Sequence, residues 1–118
     1  MFRLTIYQKP TCTTCRSVVK ILKEAQIDFA AVDYYIKPIG KAKLKELLRK
    51  LSMSPRALLR RTEPVYKKLQ LSAKALTEEE ILDLLVKYPD LLQRPIAEMG
   101  DKAVLARPPE KIRELLKK

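Results

Sequence analysis

Thr5-Ile6-Tyr7-Gln8-Lys9-Pro10-Thr11-Cys12-Thr13-Thr14-Cys15-Arg16 is the stretch on which the fold turns. Just upstream and into it, Phe2, Leu4 and Ile6 alternate with Arg3, Thr5 and Tyr7, and this period of two predicts a strand. Gln8-Lys9-Pro10-Thr11 is a polar loop that ends the strand. Thr13 or Thr14 can start a helix by accepting backbone N–H bonds, and Val18, Leu22 and Ala25 then recur at helical spacing. Both cysteines of the chain therefore sit where a strand-loop unit becomes a helix.

Working outward, Phe29 to Tyr35 is rich in β-formers and predicts a second strand. A strand, a helical crossover and a strand imply two parallel strands joined right-handedly. The middle of the chain is helical. Leu44, Leu47, Leu48 and Leu51 stand at i, i+3, i+4 and i+7 and form one apolar face. Ser54-Pro55 is a cap followed by proline, predicting a short helix through Leu58 and Leu59. Thr77-Glu78-Glu79-Glu80 has the pattern of a capping box. Behind it Ile81, Leu84, Leu85 and Tyr88 make another apolar face, stopped by Pro89. Residues 95–98 and 102–106 flank a Gly100-Asp101 turn, a hairpin signal. Pro109 opens a last helix carrying Ile112, Leu115 and Leu116.

The expected fold class is thus α/β: a mixed four-stranded sheet built from β-α-β and β-β-α halves, with a helical subdomain of about residues 38–92 inserted between them. At 118 residues and 47% hydrophobic content, residues 1–118 fit one domain with a core of its own. No stretch approaches a membrane span, and the start lacks the layout of a secretory signal, so a cytoplasmic protein is expected. The formal net charge of +11 suits small oxyanions, nucleic acid or an acidic protein surface, although a solvated lysine-rich helical surface gives the same balance.

Composition also removes whole classes of chemistry. There is no histidine, so a Ser-His or Cys-His pair cannot form within the chain. Two cysteines cannot supply the four ligands of a structural zinc site, and no metal is expected. A Cys-x5-Arg phosphate loop is absent, because Val18 and Ile21 occupy the positions where the arginine would stand. What remains is Cys12-x-x-Cys15 at a helix start, which reads as a thioredoxin-like redox motif. Unpaired N–H groups and the partial positive charge of the helix N-terminus favour the thiolate of Cys12. Arg16 adds a nearby cation. Cys15, one turn further on, can close a disulfide with Cys12. The plain alternative is a pair of inert buried cysteines.

The chain resembles the glutaredoxin-linked arsenate reductases, and their relatives the Spx-type transcriptional regulators, over essentially its whole length. The resemblance is carried by Thr5-Ile6-Tyr7, Lys9-Pro10-Thr11-Cys12, Arg16, Arg56-Ala57-Leu58-Leu59-Arg60, Glu63-Pro64, Tyr88-Pro89, Arg94-Pro95-Ile96 and Arg107-Pro108. It implies a thioredoxin-like fold, Cys12 as the catalytic cysteine, and Arg60, Arg94 and Arg107 as ligands of an oxyanion. Pro95 maps to a proline that is cis in the family. By the same analogy Cys12 attacks arsenic, glutathione forms a mixed adduct as co-substrate, and glutaredoxin or thioredoxin completes the cycle, with no tightly bound cofactor. Taken singly, each arginine could equally be a surface charge or an ion-pair partner.

Many of these reductases carry serine where this chain has Cys15, whereas the Spx-type regulators carry Cys-x-x-Cys. Three functions follow as alternatives: reduction of arsenate to arsenite with Cys15 as a resolving thiol; a redox-sensing regulator that binds RNA polymerase; or a glutathione-dependent thiol reductase without arsenate activity. Neither a membrane nor direct nucleic-acid contact is expected.

Overall fold

A computed structural model describes residues 3–116. Phe2, placed in the first strand by its alternation with Arg3, lies outside the described residues. The chain forms two compact units, one made of the residues up to Lys37 together with those from Arg94 onward, the other of Pro38–Gln93.

The first unit holds the sheet. Strand β1 (Leu4–Gln8) leads into helix α1 (Thr13–Glu24) and returns as β2 (Phe29–Asp33), parallel to β1 with Leu4 opposite Phe29 and Gln8 opposite Asp33. Strand β3 (Ile96–Met99) runs antiparallel to β1, and β4 (Lys102–Leu105) antiparallel to β3. The order β2-β1-β3-β4 makes a mixed sheet with β1 inside it. The alternation of β1 is realised: Leu4 and Ile6 are buried, while Thr5 and Tyr7 are part-exposed. Leu4 and Ile6 pack with Val18 and Leu22 of α1, Ala97 of β3, and Ala106, Ile112 and Leu115. Burying each of the larger side chains contributes about 1.5–3 kcal/mol, so the apolar stripe of α1 clamps the helix carrying the cysteines onto the sheet.

Several boundaries differ from the sequence reading. β2 stops at Asp33, not Tyr35. The Asp33 carboxylate accepts from the Tyr35 N–H at 3.0 Å, and its carbonyl from Ile36 and Lys37, so the chain turns there. The residue that caps α1 is Cys12, with extended backbone (φ −77°, ψ 127°), and Thr13 is already helical. The last helix begins as a 3-10 turn (Pro109–Ile112) and becomes α-helical only over Arg113–Leu116. The β3–β4 hairpin turns at Gly100, whose φ of 62° favours a residue without Cβ.

The second unit is helical: α2 (Lys41–Leu51), α3 (Pro64–Lys68) and α4 (Glu78–Lys87), linked by 3-10 turns. Leu44, Leu47 and Leu48 are buried, as the periodicity predicts, and α2 ends at Ser52 in a left-handed cap. The capping box forms: Glu80 N–H donates to Thr77 Oγ1 at 3.1 Å, and Thr77 N–H to Glu80 Oε1 at 2.9 Å. α4 buries Ile81, Leu82 and Leu85; Leu84, expected on that face, is only part-buried. After Ser54-Pro55 the chain makes a 3-10 turn over Arg56–Leu58, and Leu59 is extended and bridges to Leu92. Among the described residues, no helix is long and apolar enough to cross a membrane.

Candidate active site

Cys12 stands at the mouth of α1. Its own N–H donates to Lys9 carbonyl at 2.9 Å, which closes the loop before it, and its carbonyl accepts the first helical bond from Arg16 at 3.0 Å. Its side chain is part-exposed, whereas Cys15, one turn on, is buried. Both are free thiols.

The two thiols are driven apart in acidity. For Cys12, burial is the largest single influence and opposes ionisation, but it is outweighed by the Cys15 backbone N–H, the Cys15 thiol, and the hydrogen bond and charge of Arg94; the balance lowers its pKa from 9.0 to about 7. For Cys15, burial again comes first and is reinforced by the facing Cys12 sulfur, and its pKa is pushed up to about 12. At neutral pH the exposed sulfur is therefore substantially thiolate while the buried one keeps its proton. The Cys15 thiol, still protonated, donates a hydrogen bond to the Cys12 sulfur.

The cation that does this is Arg94. It is 6% exposed, an uncommon setting for arginine. Burial by itself would ease loss of its proton, yet its pKa is raised, because Tyr34, Cys12 and Tyr35 surround the guanidinium with groups that favour its charge. Its Nε and Nη1 are buried without hydrogen-bond partners, so part of the planar fork stays available for an acceptor. Arg107 is tied to the same place: its Nη1 donates to the Arg94 carbonyl at 3.0 Å. The Arg94–Pro95 peptide bond is cis, as the resemblance implies, and so is Arg107–Pro108. Ala106 N–H donates to Pro95 carbonyl at 3.0 Å, which lays the two proline-containing segments side by side.

The sheet-bearing unit thus brings together Cys12, Cys15, Arg94, Pro95 and Arg107. Arg16 is exposed on α1 and is not among the groups that set the acidity of Cys12, a role that falls to Arg94. Arg60 belongs to the helical unit, where its N–H donates to Leu91 carbonyl at 2.7 Å and its guanidinium lies 3.6 Å from the Glu63 carboxylate. Its Nε is also buried without a partner.

Sequence reasoning missed Tyr34 and Tyr35. The two rings lie 5.1 Å apart, centroid to centroid, and Lys9 Nζ sits 4.9 Å above the Tyr35 ring. Their β-forming side chains place them at the end of the second strand by sequence alone. The one available signal was Asp33 before them, a residue that turns a chain by capturing the next N–H groups.

Comparison with known proteins agrees with this architecture. The family described as the ArsC family matches residues 7–115. The chain is 36% identical over 115 residues to the uncharacterized protein YfgD of Escherichia coli strain K12, covering 97% of each chain. It is 32% identical over 117 residues to an arsenate reductase of Neisseria meningitidis serogroup B, covering 98% of this chain and 100% of that one. Its structure superposes on the arsenate reductase from Vibrio cholerae with a TM-score of 0.89 at 28% identity, covering 96% and 97% of the two chains. With its mixed sheet, its cysteine at the head of α1 and its match over nearly the whole length, the chain is a thioredoxin-like protein that belongs to the ArsC family.

Proposed function

We propose that the chain is a thiol-dependent oxidoreductase that reduces a tetrahedral oxyanion, arsenate in the first instance, through the Cys12 thiolate. The observation that carries this reading is a part-exposed thiolate at a helix N-terminus with the buried Arg94 guanidinium held against it. Arginine matches the oxygens of such an anion through its planar fork. A relative named arsenate reductase, aligned over the full length, supports the choice of substrate.

In this mechanism the Cys12 sulfur attacks arsenic(V) and displaces one oxygen, which leaves as water after protonation. Arg94, with Arg107 beside it, neutralises the remaining oxygens. A second thiolate then attacks the Cys12 sulfur, forming a disulfide, and the sulfur–arsenic electron pair stays on arsenic, which departs as arsenic(III). Two thiols are oxidised for each arsenic reduced. The second thiol is glutathione or Cys15, and glutaredoxin or thioredoxin restores the reduced enzyme. The family resemblance adds Arg60 as a further oxyanion ligand. A coupled assay of arsenate reduction, with glutathione and glutaredoxin supplied or omitted in turn, tests the substrate and the reductant together. Turnover dependent on both supports the reading, and absence of turnover under every combination removes it.

A further inference from the structure

Two buried side chains flank the point where the cysteine loop leaves the sheet. Gln8 of β1 pairs with Asp33 of β2, and Tyr7 pairs with Ile96 of β3. Carried past the strand ends, the first register sets Tyr34 level with Lys9, and the second sets Arg94 level with Lys9 as well. Tyr34 N–H donates to the Gln8 carbonyl at 3.4 Å, so the first pairing continues one step beyond the strand. β1 lies between β2 and β3. Tyr34 and Arg94 therefore stand on either side of Lys9, whose carbonyl accepts from Cys12 N–H at 2.9 Å.

Tyr34 is 2% exposed and Arg94 6%. The Tyr34 hydroxyl oxygen is shielded from solvent together with Nε and Nη1 of Arg94, and it lies against the guanidinium and favours its charge. The Tyr35 ring backs the Tyr34 ring, and Lys9 Nζ covers Tyr35 in turn. Phenylalanine at position 34 would serve that packing equally well, and burying a hydroxyl is costly without a polar neighbour, so the hydroxyl points to a role at the guanidinium. A guanidinium carries five N–H donors and no acceptor. A neutral oxygen beside it orients the fork without cancelling its charge. Arg60, 3.6 Å from the Glu63 carboxylate, has the opposite arrangement. The charge of Arg94 is thus left for the Cys12 sulfur and for an anion that approaches it.

We propose that Tyr34 is a positioning residue: its hydroxyl oxygen fixes the plane of the Arg94 guanidinium, so that one edge stays on the Cys12 sulfur and the rest of the fork stays open to the oxyanion. The inference deepens the reading of Cys12 as the reactive thiolate and rests on it. Tyr34 is not among the groups that act on Cys12 directly, so its influence on the sulfur runs through Arg94. Replacing Tyr34 by phenylalanine leaves the ring packing and the charge of Arg94 in place but frees the guanidinium to turn. The thiolate then loses part of the hydrogen bond and charge that Arg94 supplies.

The test is a double-substitution cycle read on the sulfur, and it needs neither oxyanion nor reductant. Peptide-resolved iodoacetamide labelling of Cys12 is followed against pH, with urea unfolding to confirm that each variant is folded. Tyr34→Phe is expected to raise the labelling midpoint by about half a pH unit. In an Arg94→Met chain the same substitution is expected to leave the midpoint unmoved, because the residue through which it acts is gone. Arg94→Lys, which keeps a charge but has no plane to fix, is a second background with the same expectation. Tyr7→Phe is the control. It removes another hydroxyl of the same sheet, the one that donates to Glu98 at 3.2 Å, and is expected to leave the midpoint unchanged. A folded Tyr34→Phe chain with no shift overturns the proposal. So does a full shift in the Arg94→Met or Arg94→Lys background, which would have Tyr34 act without the fork, and so does an equal shift in Tyr7→Phe, the mark of a general loosening. Any of these failures leaves the arsenate assay untouched, and a failed arsenate assay leaves the labelling cycle measurable.

Discussion

Arg107 Nη1 donates to the backbone carbonyl of Arg94 at 3.0 Å. One guanidinium thus fixes the main chain from which the other is projected toward Cys12, and the two arginines act as a unit. Removing Arg107 frees a part-buried acceptor and loosens the anchorage of Arg94. Arg107→Ala should cost about 1 kcal/mol of stability in urea unfolding, and it should also raise the pH at which Cys12 is half-alkylated. A loss of turnover without any change in Cys12 acidity would assign Arg107 to oxyanion contact alone.

Arg94 itself supplies the hydrogen bond and charge that favour the Cys12 thiolate. Arg94→Met keeps much of the volume and removes both. Half-alkylation of Cys12 by iodoacetamide should move from about pH 7 toward 9.0, and arsenate turnover should fall by about 10²–10³-fold. Arg94→Lys keeps the charge without the fork, so it should hold the thiol acidity more nearly than it holds turnover.

In the unaltered protein, peptide-resolved alkylation should follow the two thiols separately. Cys12 is expected to label with a midpoint near pH 7, and Cys15, with its pKa near 12, to stay protected throughout the neutral range. Preferential labelling of Cys15 would exchange the roles of nucleophile and resolving thiol.

The same shifts give stability a pH signature. Cys12 is more acidic folded than unfolded, so its contribution is fully present above 9.0 and is lost as pH falls through about 7. Cys15 is less acidic folded; above 9.0 the unfolded chain loses that proton and the folded chain keeps it, so stability falls as pH rises toward about 12. Relative to a chain with both cysteines changed to serine, unfolding free energy should rise between pH 7 and 9 and decline beyond it. Cys12→Ser should abolish the rise and leave the decline.

Much of this molecule could be read from local sequence because the deciding interactions are local. Leu4 and Ile6 face the core because side chains alternate along a strand, Thr77 and Glu80 satisfy each other across one helical turn, and Gly100 permits a left-handed turn. Position at the head of α1 was enough to single out Cys12. The remainder depends on tertiary neighbours that no local window contains. Leu82 rather than Leu84 is buried because the surrounding helical unit, not periodicity alone, sets which flank of α4 is covered. Arg16 stands about one helical turn from Cys12 in the sequence, yet the cation facing the Cys12 sulfur is Arg94, brought there by the return of the chain into β3. Tyr34 and Tyr35 join that cluster only because Asp33 ends β2 early.

The central claim is that the Cys12 thiolate reduces arsenate. Its most direct test is a measurement of arsenite formed from arsenate by the fully reduced protein, first alone and then with glutathione and glutaredoxin present, compared with Cys12→Ser. The expected result is stoichiometric arsenite from the unaltered chain, multiple turnovers as the thiols are regenerated, and none from Cys12→Ser. No arsenite from a protein whose Cys12–Cys15 disulfide still forms and breaks reversibly would contradict the claim and leave the thiol pair a redox switch, as in the Spx-type regulators.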